Sequence, residues 1–138
     1  MKTLDRRTPS ENGVADFTSM GLHEDLLRAI MDLEFTRPTP VQVEAIPAGL
    51  AGRDVLGCAM TGSGKTAAFL LPILQRLRGR PRGVTRALVL TPTRELAAQT
   101  VAHFDELAKY TELRAAAVYG GVAIGPQAAA FRRGVDLI

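Results

Sequence analysis

Residues 59 to 66 read A-M-T-G-S-G-K-T, and they lie between a short apolar run at 55–59 and a long stretch of helical periodicity. Gly62, Ser63 and Gly64 form a turn that exposes backbone N–H groups. The helix that begins directly afterwards directs the positive end of its dipole to the same point. Lys65 adds a mobile charge and Thr66 a hydroxyl. An apolar strand, this loop and a helix in that order predict a phosphate-binding loop.

The chemistry of the loop assigns a role to each part of it. Backbone N–H groups bind the β-phosphate, Lys65 extends between the β- and γ-phosphates, and the hydroxyl of Thr66 is a ligand for Mg²⁺, which prefers oxygen. Lys65 and Thr66 are therefore the predicted catalytic residues. Ala59 stands where the usual pattern G-x-x-x-x-G-K-[S/T] has glycine. The predicted contacts to the nucleotide phosphates come from Thr61, Gly62, Ser63, Gly64, Lys65 and Thr66.

Size and composition describe an ordinary globular chain. It has 138 residues, of which 46% are hydrophobic and 22% charged, and a net charge of +3 that is compatible with a polyanionic partner. Cys58 is the single cysteine, so no internal disulfide forms, and a reducing, cytoplasmic location is expected. No apolar run approaches the length needed to span a membrane, so no membrane association is expected.

The order of predicted elements indicates an α/β fold. Residues 1–15 are polar and aperiodic and are predicted to be a flexible tail, and two helices precede the loop, from Leu22 and from Val41 to Leu50. After these, predicted strands alternate with helices, which implies a mostly parallel sheet with helices on both faces and ligands at the carboxyl ends of the strands. The predicted strands are 54–59, 87–91, 115–119 and a last one from 135; the helices are 64–77, 94–109 and part of 122–133. The predicted buried face of the helix at 94–109 consists of Ala97, Val101, Phe104 and Ala108. Cys58 is expected to be buried in the first strand, and the Arg-rich stretch 76–86 is expected to be a surface loop.

Three further segments complete a recognisable pattern. Phe35 to Gln42 reads F-T-R-P-T-P-V-Q, with Phe17 eighteen residues before Phe35, Pro92 to Ala97 reads P-T-R-E-L-A, and Gly120-Gly121 follows the strand that ends at Tyr119. Together with the phosphate loop they resemble the DEAD-box family of RNA helicases, over about residues 17–138. The resemblance implies that residues 16–138 form part of a first RecA-like ATP-binding domain, a P-loop NTPase fold, truncated at its C-terminus.

By this resemblance the cofactors are ATP and Mg²⁺, and Gln42 recognises the adenine base. A glutamine amide offers one kind of donor and one kind of acceptor, which match N6 and N7 of adenine, whereas guanine presents two acceptors at that edge. Phe17 is expected to stack on the base, as aromatic rings do on nucleobases. Arg37 is expected to lie alongside.

The resemblance also implies an RNA partner, single-stranded or duplex, bound through its sugar-phosphate backbone. A helix start that carries a hydroxyl and an arginine suits a phosphodiester, and paired glycines allow close approach of a backbone. The predicted RNA-binding residues are Pro92, Thr93, Arg94, Gly120 and Gly121. Protein partners are not indicated by the sequence.

Hydrolysis of ATP also requires acids at a strand end, and the D-E-A-D tetrad of the family is absent from the sequence. Asp105 and Glu106 are adjacent but lie in a predicted helix. The chain is therefore expected to be an N-terminal fragment that binds nucleotide weakly and does not turn it over. Two alternatives stay open: another adenine-specific P-loop NTPase, such as a DNA helicase or transport ATPase, and a non-catalytic RNA-binding module with a vestigial loop.

Overall fold

The computed structural model describes residues 16–138 apart from Arg82, so the predicted tail at 1–15 lies outside the described residues. Five α-helices follow a short 3₁₀ helix at Phe17–Met20, which the sequence analysis did not predict. Each α-helix was predicted, and its limits are close to the predicted ones. They are α1 (Glu24–Asp32), α2 (Pro40–Leu50), α3 (Lys65–Leu77), α4 (Arg94–Leu107) and α5 (Ile124–Arg132).

Local signals in the sequence explain where several of these helices begin. The side chain of Asp16 accepts a hydrogen bond from Thr18 N at the start of the 3₁₀ helix. Pro40 occupies the first position of α2, where a missing N–H costs nothing, and the side chain of Gln42 accepts from Thr39 N at 2.9 Å. Thr93 caps α4 by accepting from Leu96 N at 3.1 Å.

The sheet is centred on residues 135–138. This segment pairs in parallel with two neighbours, through bridges of Leu137 to Ala87 on one side and to Ala115 on the other. Val89 N donates to Ile138 O at 2.7 Å, and Ala116 N donates to Leu137 O at 3.0 Å. The predicted parallel direction is thus confirmed, although the pairing is limited to isolated bridges rather than the longer strands predicted at 87–91 and 115–119.

The segment 54–59 departs further from the prediction. Among the residues that the structure describes, no bridge includes it, and its apolar side chains are exposed, Val55 by 47% and Leu56 by 101%. Cys58 is exposed as well, so the expectation of a buried cysteine was wrong. A strand buries its side chains only where neighbouring elements cover it, and no paired strand accompanies this segment in the described part of the chain.

The hydrophobic core lies between the helices and the central segment of the sheet. The fully buried side chains come from α1 to α4 and from residue 137, and the largest are Leu26, Ile46, Leu70, Leu71, Leu74, Phe104, Leu107 and Leu137. The predicted buried face of α4 included Ala97 and Val101, which are only half-buried; Thr100 and Leu107 are buried instead. The hydroxyl of Thr100 donates to Leu96 O at 2.8 Å, so burial leaves that group with a partner.

A buried ion pair links the Arg-rich stretch to the sheet. Asp136 is 1% exposed, and its carboxylate accepts from the guanidinium of Arg86 at 2.5 Å and from Arg114 N at 3.0 Å. Arg86 also donates to Leu77 O at 3.2 Å. The prediction of a surface loop through residue 86 was therefore wrong at its last residue, because the carboxylate of Asp136 provides a partner inside the protein. None of the helices in the described ranges has the length and apolar character needed to cross a membrane.

Candidate functional site

The loop at residues 59–66 has the conformation that a phosphate site requires. Gly62 and Gly64 adopt φ values of 78° and 86°, in the left-handed region that side-chain-bearing residues rarely enter. Gly64 is the N-cap of α3, and neither a capping side chain nor an acidic residue lies in the first turn. The first N–H groups of α3 therefore have no competing side-chain acceptor among the described residues, and together with the helix dipole they favour an anion.

Lys65 and Ser63 supply further polar atoms at the loop. The ammonium of Lys65 donates to the carbonyl of Ala59 and, at 2.6 Å, to that of Met60, so it lies across the loop at residues 59–60. The hydroxyl oxygen of Ser63 is buried and has no hydrogen-bond partner within the described residues. A buried hydroxyl without a partner is costly unless a ligand or water supplies one. These donors match the oxygens of a polyphosphate.

The start of α2 is bonded directly to the phosphate loop. Thr39 Oγ1 donates to Ser63 O at 2.7 Å, and Gln42 Nε2 donates to Gly64 O at 3.1 Å. A Cβ at residue 64 would lie 2.4 Å from Gln42 Nε2, so this approach requires glycine as well as the left-handed φ. Sequence reasoning missed the role of Thr39. The only available signal was its place three residues before Gln42 at a helix start.

Gln42 is 3% exposed, so it is a buried polar side chain rather than a solvated one. Its amide oxygen accepts from Thr39 N and its amide nitrogen donates to Gly64 O. A primary amide has two N–H donors and two lone pairs on its oxygen. The two bonds therefore use one donor and one lone pair of the Gln42 amide, leave one of each unused, and fix the side chain in place.

The other two residues predicted to contact the adenine base, Phe17 and Arg37, are not among those that bond to the phosphate loop. Phe17 is 3% exposed and packs against Phe35, with ring centroids 6.5 Å apart and planes inclined by 30°. A cavity of about 290 Å³ is lined by both rings and by Thr36. Arg37 is exposed on the loop before α2. Stacking of Phe17 on adenine stays a prediction, and Phe35, which the predicted set left out, shares the same cavity.

Thr66 faces the neighbouring part of the sheet. A cavity of about 410 Å³ is lined by Lys65 and Thr66 and also by residues 89–91. The phosphate loop and the end of the 87–91 segment therefore lie at one edge of the fold, as expected for the carboxyl ends of parallel strands. No group of three His, Cys, Asp or Glu side chains suited to a metal occurs in the part of the chain that the structure describes. Thr66 is the predicted protein ligand for Mg²⁺.

The residues predicted to bind RNA are all exposed, and part of the set is brought together. Thr93 accepts a hydrogen bond in its role as cap of α4, so its own proton is free to donate to a phosphate. The guanidinium of Arg94 lies 5.9 Å from the ring centroid of Tyr119. Gly121, at φ 80°, approaches that guanidinium so closely that a Cβ would lie 2.6 Å from Nη2. The structure thus juxtaposes Arg94 with the glycine pair, which are distant in sequence.

Comparison with known proteins identifies the family. The family model for the DEAD/DEAH box helicases matches residues 39–138, which is most of the chain. The chain belongs to the DEAD/DEAH box helicase family. The resemblance to the DEAD-box family is thereby confirmed. The matched range contains the hydrogen bonds from Thr39 and Gln42 to the phosphate loop.

Individual helicases of this family agree with that assignment. The chain is 52% identical over 128 residues to the ATP-dependent RNA helicase SrmB of Escherichia coli, a match that covers 91% of this chain and 29% of that protein. It is 47% identical over 124 residues to DEAD-box ATP-dependent RNA helicase 28 of Oryza sativa subsp. japonica, covering 88% of this chain and 16% of that one. The chain therefore spans less than a third of the length of these curated helicases.

Solved structures of helicases confirm the fold class. The RNA helicase Prp28 of Chaetomium thermophilum, whose crystal structure was determined bound to ADP, superposes with a TM-score of 0.82 at 36% identity, covering 93% of this chain and 32% of that one. A DEAD box protein of Methanococcus jannaschii gives a TM-score of 0.81 at 35% identity, over 88% of this chain and 33% of that chain. The predicted RecA-like α/β architecture of a DEAD-box helicase domain is therefore correct, although the bridges described here are few.

Proposed function

We propose that this chain is the nucleotide-binding part of an ATP-dependent RNA helicase, which couples binding and hydrolysis of ATP to local opening of RNA duplexes. The observation that carries the proposal is the phosphate loop, bonded to the buried Gln42 and lying at the start of α3 without an acidic residue in its first turn. Its place in the DEAD/DEAH box family supports ATP as the nucleotide and RNA as the polymer. We propose a cytoplasmic location, since a single cysteine allows no internal disulfide.

In this proposal the phosphates are bound by N–H groups of the loop and of the first turn of α3. Lys65, whose ammonium now donates to two carbonyl groups of the loop, exchanges those bonds for stronger charge-assisted bonds to phosphate oxygens. Ser63 Oγ gains the partner that it lacks among the described residues. Thr66 supplies the hydroxyl ligand to Mg²⁺, which when bound neutralises charge on the β- and γ-phosphates.

Gln42 performs two tasks in the proposed site. Its bonds to Thr39 N and Gly64 O hold the side chain rigid, and its remaining donor and acceptor meet N7 and the N6 amino group of adenine. Guanine would leave one of these amide groups mispaired, which is costly at a buried site. Phe17 stacks on the base, and Arg37 lies beside it.

RNA is proposed to bind through its backbone along the exposed residues at the start of α4 and the glycine pair. Thr93 and Arg94 donate to phosphate oxygens, and Pro92, Gly120 and Gly121 shape the adjacent turns. Such contacts carry no base readout, so binding is expected to be independent of sequence and to weaken with salt.

Turnover is not expected from this chain alone. The paired acids Asp105 and Glu106 lie on α4, as predicted, and not at the end of a strand segment. An acid that orients water or holds Mg²⁺ beside the phosphates is therefore not supplied by them. We propose that the chain binds ATP weakly and does not turn it over. Robust RNA-stimulated hydrolysis by the 138-residue chain would contradict this part of the proposal.

Replacement of Lys65 tests the nucleotide site. Lys65→Ala is expected to abolish ATP-Mg²⁺ binding measured by isothermal titration calorimetry. Lys109→Ala is the matched control, because it removes the same charge from a lysine that pairs with Asp32 at 2.6 Å. Unchanged ATP affinity in the Lys65→Ala variant would show that the loop is not the nucleotide site, and equal losses in both variants would indicate a nonspecific charge effect.

Base selectivity separates the proposed function from its alternatives. The unsubstituted chain is expected to prefer ATP-Mg²⁺ to GTP-Mg²⁺, and Gln42→Ala is expected to lower ATP affinity and to reduce the ratio of ATP to GTP affinity. If Gln42 only bonds to the phosphate loop and does not contact the base, the affinities for ATP and for GTP fall equally and their ratio stays constant. A chain that binds RNA but neither nucleotide would instead support the non-catalytic RNA-binding alternative.

A further inference from the structure

The side chain of Gln127 bonds to the end of the strand segment that leads to the glycine pair. Its amide oxygen accepts from Tyr119 N at 3.1 Å, and its amide nitrogen donates to Tyr119 O at 3.3 Å and to Ala123 O at 3.4 Å. One side chain on α5 therefore satisfies both main-chain polar groups of Tyr119. A pair of bonds to the N–H and C=O of one residue fixes the orientation of its peptide groups.

The side chain of Tyr119 carries this constraint to Arg94. The guanidinium of Arg94 lies 5.9 Å from the centroid of the Tyr119 ring, within the range of a cation–π interaction. On another side, Gly121 leaves room for the same guanidinium, since a Cβ there would lie 2.6 Å from Nη2 and 3.1 Å from Nη1. Arg94 is thus held between an aromatic ring and the backbone of the glycine turn.

We infer that Gln127 is a positioning residue for RNA binding, which acts through Tyr119 on the guanidinium of Arg94. The inference rests on the proposed function, because it presumes that Arg94 donates to an RNA phosphate. A long arginine side chain loses much rotamer freedom when it binds, and a guanidinium that is already oriented loses less. Fixing the peptide groups of Tyr119 fixes the direction of its Cα–Cβ bond, which limits where its ring can lie beside the guanidinium of Arg94.

The size of the expected effect follows from the freedom of one side chain. Pre-organisation of a single long side chain changes affinity by roughly three- to tenfold. Gln127→Met keeps the length of the side chain and removes its donor and acceptor. We expect this variant to bind a short fluorescein-labelled oligouridylate roughly three- to tenfold more weakly in fluorescence anisotropy. Gln99→Met, the same replacement at an exposed glutamine of α4, serves as the control and is expected to bind normally.

A double-variant comparison distinguishes positioning from general damage to the fold. In the Arg94→Ala background, Gln127→Met is expected to cause no further loss, because the side chain on which it acts is gone. Equal losses in both backgrounds would overturn the inference, since a structural defect weakens binding regardless of Arg94. Tyr119→Leu removes the ring while keeping the two main-chain bonds, and it is expected to reproduce the loss. Normal binding by Tyr119→Leu would also overturn the inference.

The same experiment separates this inference from the proposed function. If Arg94→Ala leaves RNA affinity unchanged, or if the unsubstituted chain binds no oligouridylate, the proposed RNA site is wrong and the inference fails with it. If Arg94→Ala weakens binding but Gln127→Met does not, the RNA site stands and only the positioning role of Gln127 fails. Thermal unfolding by circular dichroism shows that each variant is folded, and ATP affinity, which depends on the phosphate loop, is expected to stay unchanged in all of them.

Discussion

The segments at 54–57 and 134–137 have the same composition, one each of Val, Leu, Asp and Gly, yet they have opposite surroundings. Leu137 is 1% exposed, Asp136 is 1% exposed, and their main-chain groups bond to neighbours on both sides. Leu56 is 101% exposed and Val55 is 47% exposed, and no bridge reaches them from any described residue. Similar local sequence thus produces a buried, bridged segment in one place and an exposed, unbridged segment in the other.

The difference shows that strand-forming residues favour a backbone conformation but do not determine burial or pairing. Valine and leucine favour extended backbone in both segments, because that preference is local. Burial and pairing depend on a neighbour that presents free N–H and C=O groups at the right distance, and such groups come from elsewhere in the chain. The segment at 135–138 has two such neighbours, at 86–89 and 114–116, whereas 54–59 adjoins the cavity of about 410 Å³ that also meets residues 89–91.

The largest expected difference between the two segments concerns their aspartates. Asp136→Ala leaves the guanidinium of Arg86 without its carboxylate partner in a largely buried position, which costs about 3–5 kcal/mol. Asp54→Ala removes an exposed acid and is expected to change stability by less than about 0.5 kcal/mol. Urea denaturation of both variants measures the difference. Similar losses in the free energy of unfolding for the two variants would mean that the ion pair of Asp136 with Arg86 does not distinguish its segment from 54–57.

Truncation of one leucine in each segment is expected to have the next largest effect. Leu137→Ala deletes a buried side chain in contact with the core and is expected to destabilise the chain by about 2–5 kcal/mol. Leu56→Ala removes side-chain atoms that are already in water, so the free energy of unfolding is expected to change by less than about 0.5 kcal/mol. A large cost for Leu56→Ala would show that the 54–59 segment is covered in solution.

A glycine in each segment provides the smallest of the three tests. Gly134 has φ 78°, and a Cβ there would lie 2.8 Å from the Cα of Gly83, so Gly134→Ala is expected to cost at least about 1–2 kcal/mol in backbone strain. Gly57 meets only ordinary contact, with Val41 at 3.9 Å, and Gly57→Ala is expected to be nearly neutral. Thermal unfolding of the pair checks this, and an equal loss in both would refute the assumed difference in backbone conformation.

The candidate site was predictable where it depends on contiguous residues. The order of strand, glycine turn, lysine and helix start located the phosphate loop, and the structure places the left-handed glycines and the cap of α3 as that pattern requires. Contacts between distant segments were not predictable in the same way. Thr39 bonds to Ser63, and Gln127 bonds to Tyr119. Because threonine is common at helix starts and glutamine is common within helices, neither residue type signals its distant partner.

Burial was the other quantity that local patterns predicted poorly. Phe104 was expected in the buried face of α4, but Thr100 was not, and its hydroxyl is tolerated there only because Leu96 O accepts from it. Arg86 was assigned to the surface as the end of an Arg-rich run with interleaved Gly and Pro, since such charge runs are usually solvated. A carboxylate fifty residues away reverses that expectation.

By itself the sequence determined the helices, the direction of the strands and the chemistry of the phosphate loop. The helices and the loop depend on backbone preferences, capping and periodicity over a few adjacent residues, and the parallel direction follows from the alternation of strands with helices. The tertiary structure decided which segment is covered, which arginine pairs with a buried carboxylate and how Gln42 and Gln127 are held. Those outcomes depend on groups that meet only after folding, because a hydrogen bond or an ion pair is satisfied by proximity in space and not by proximity in sequence.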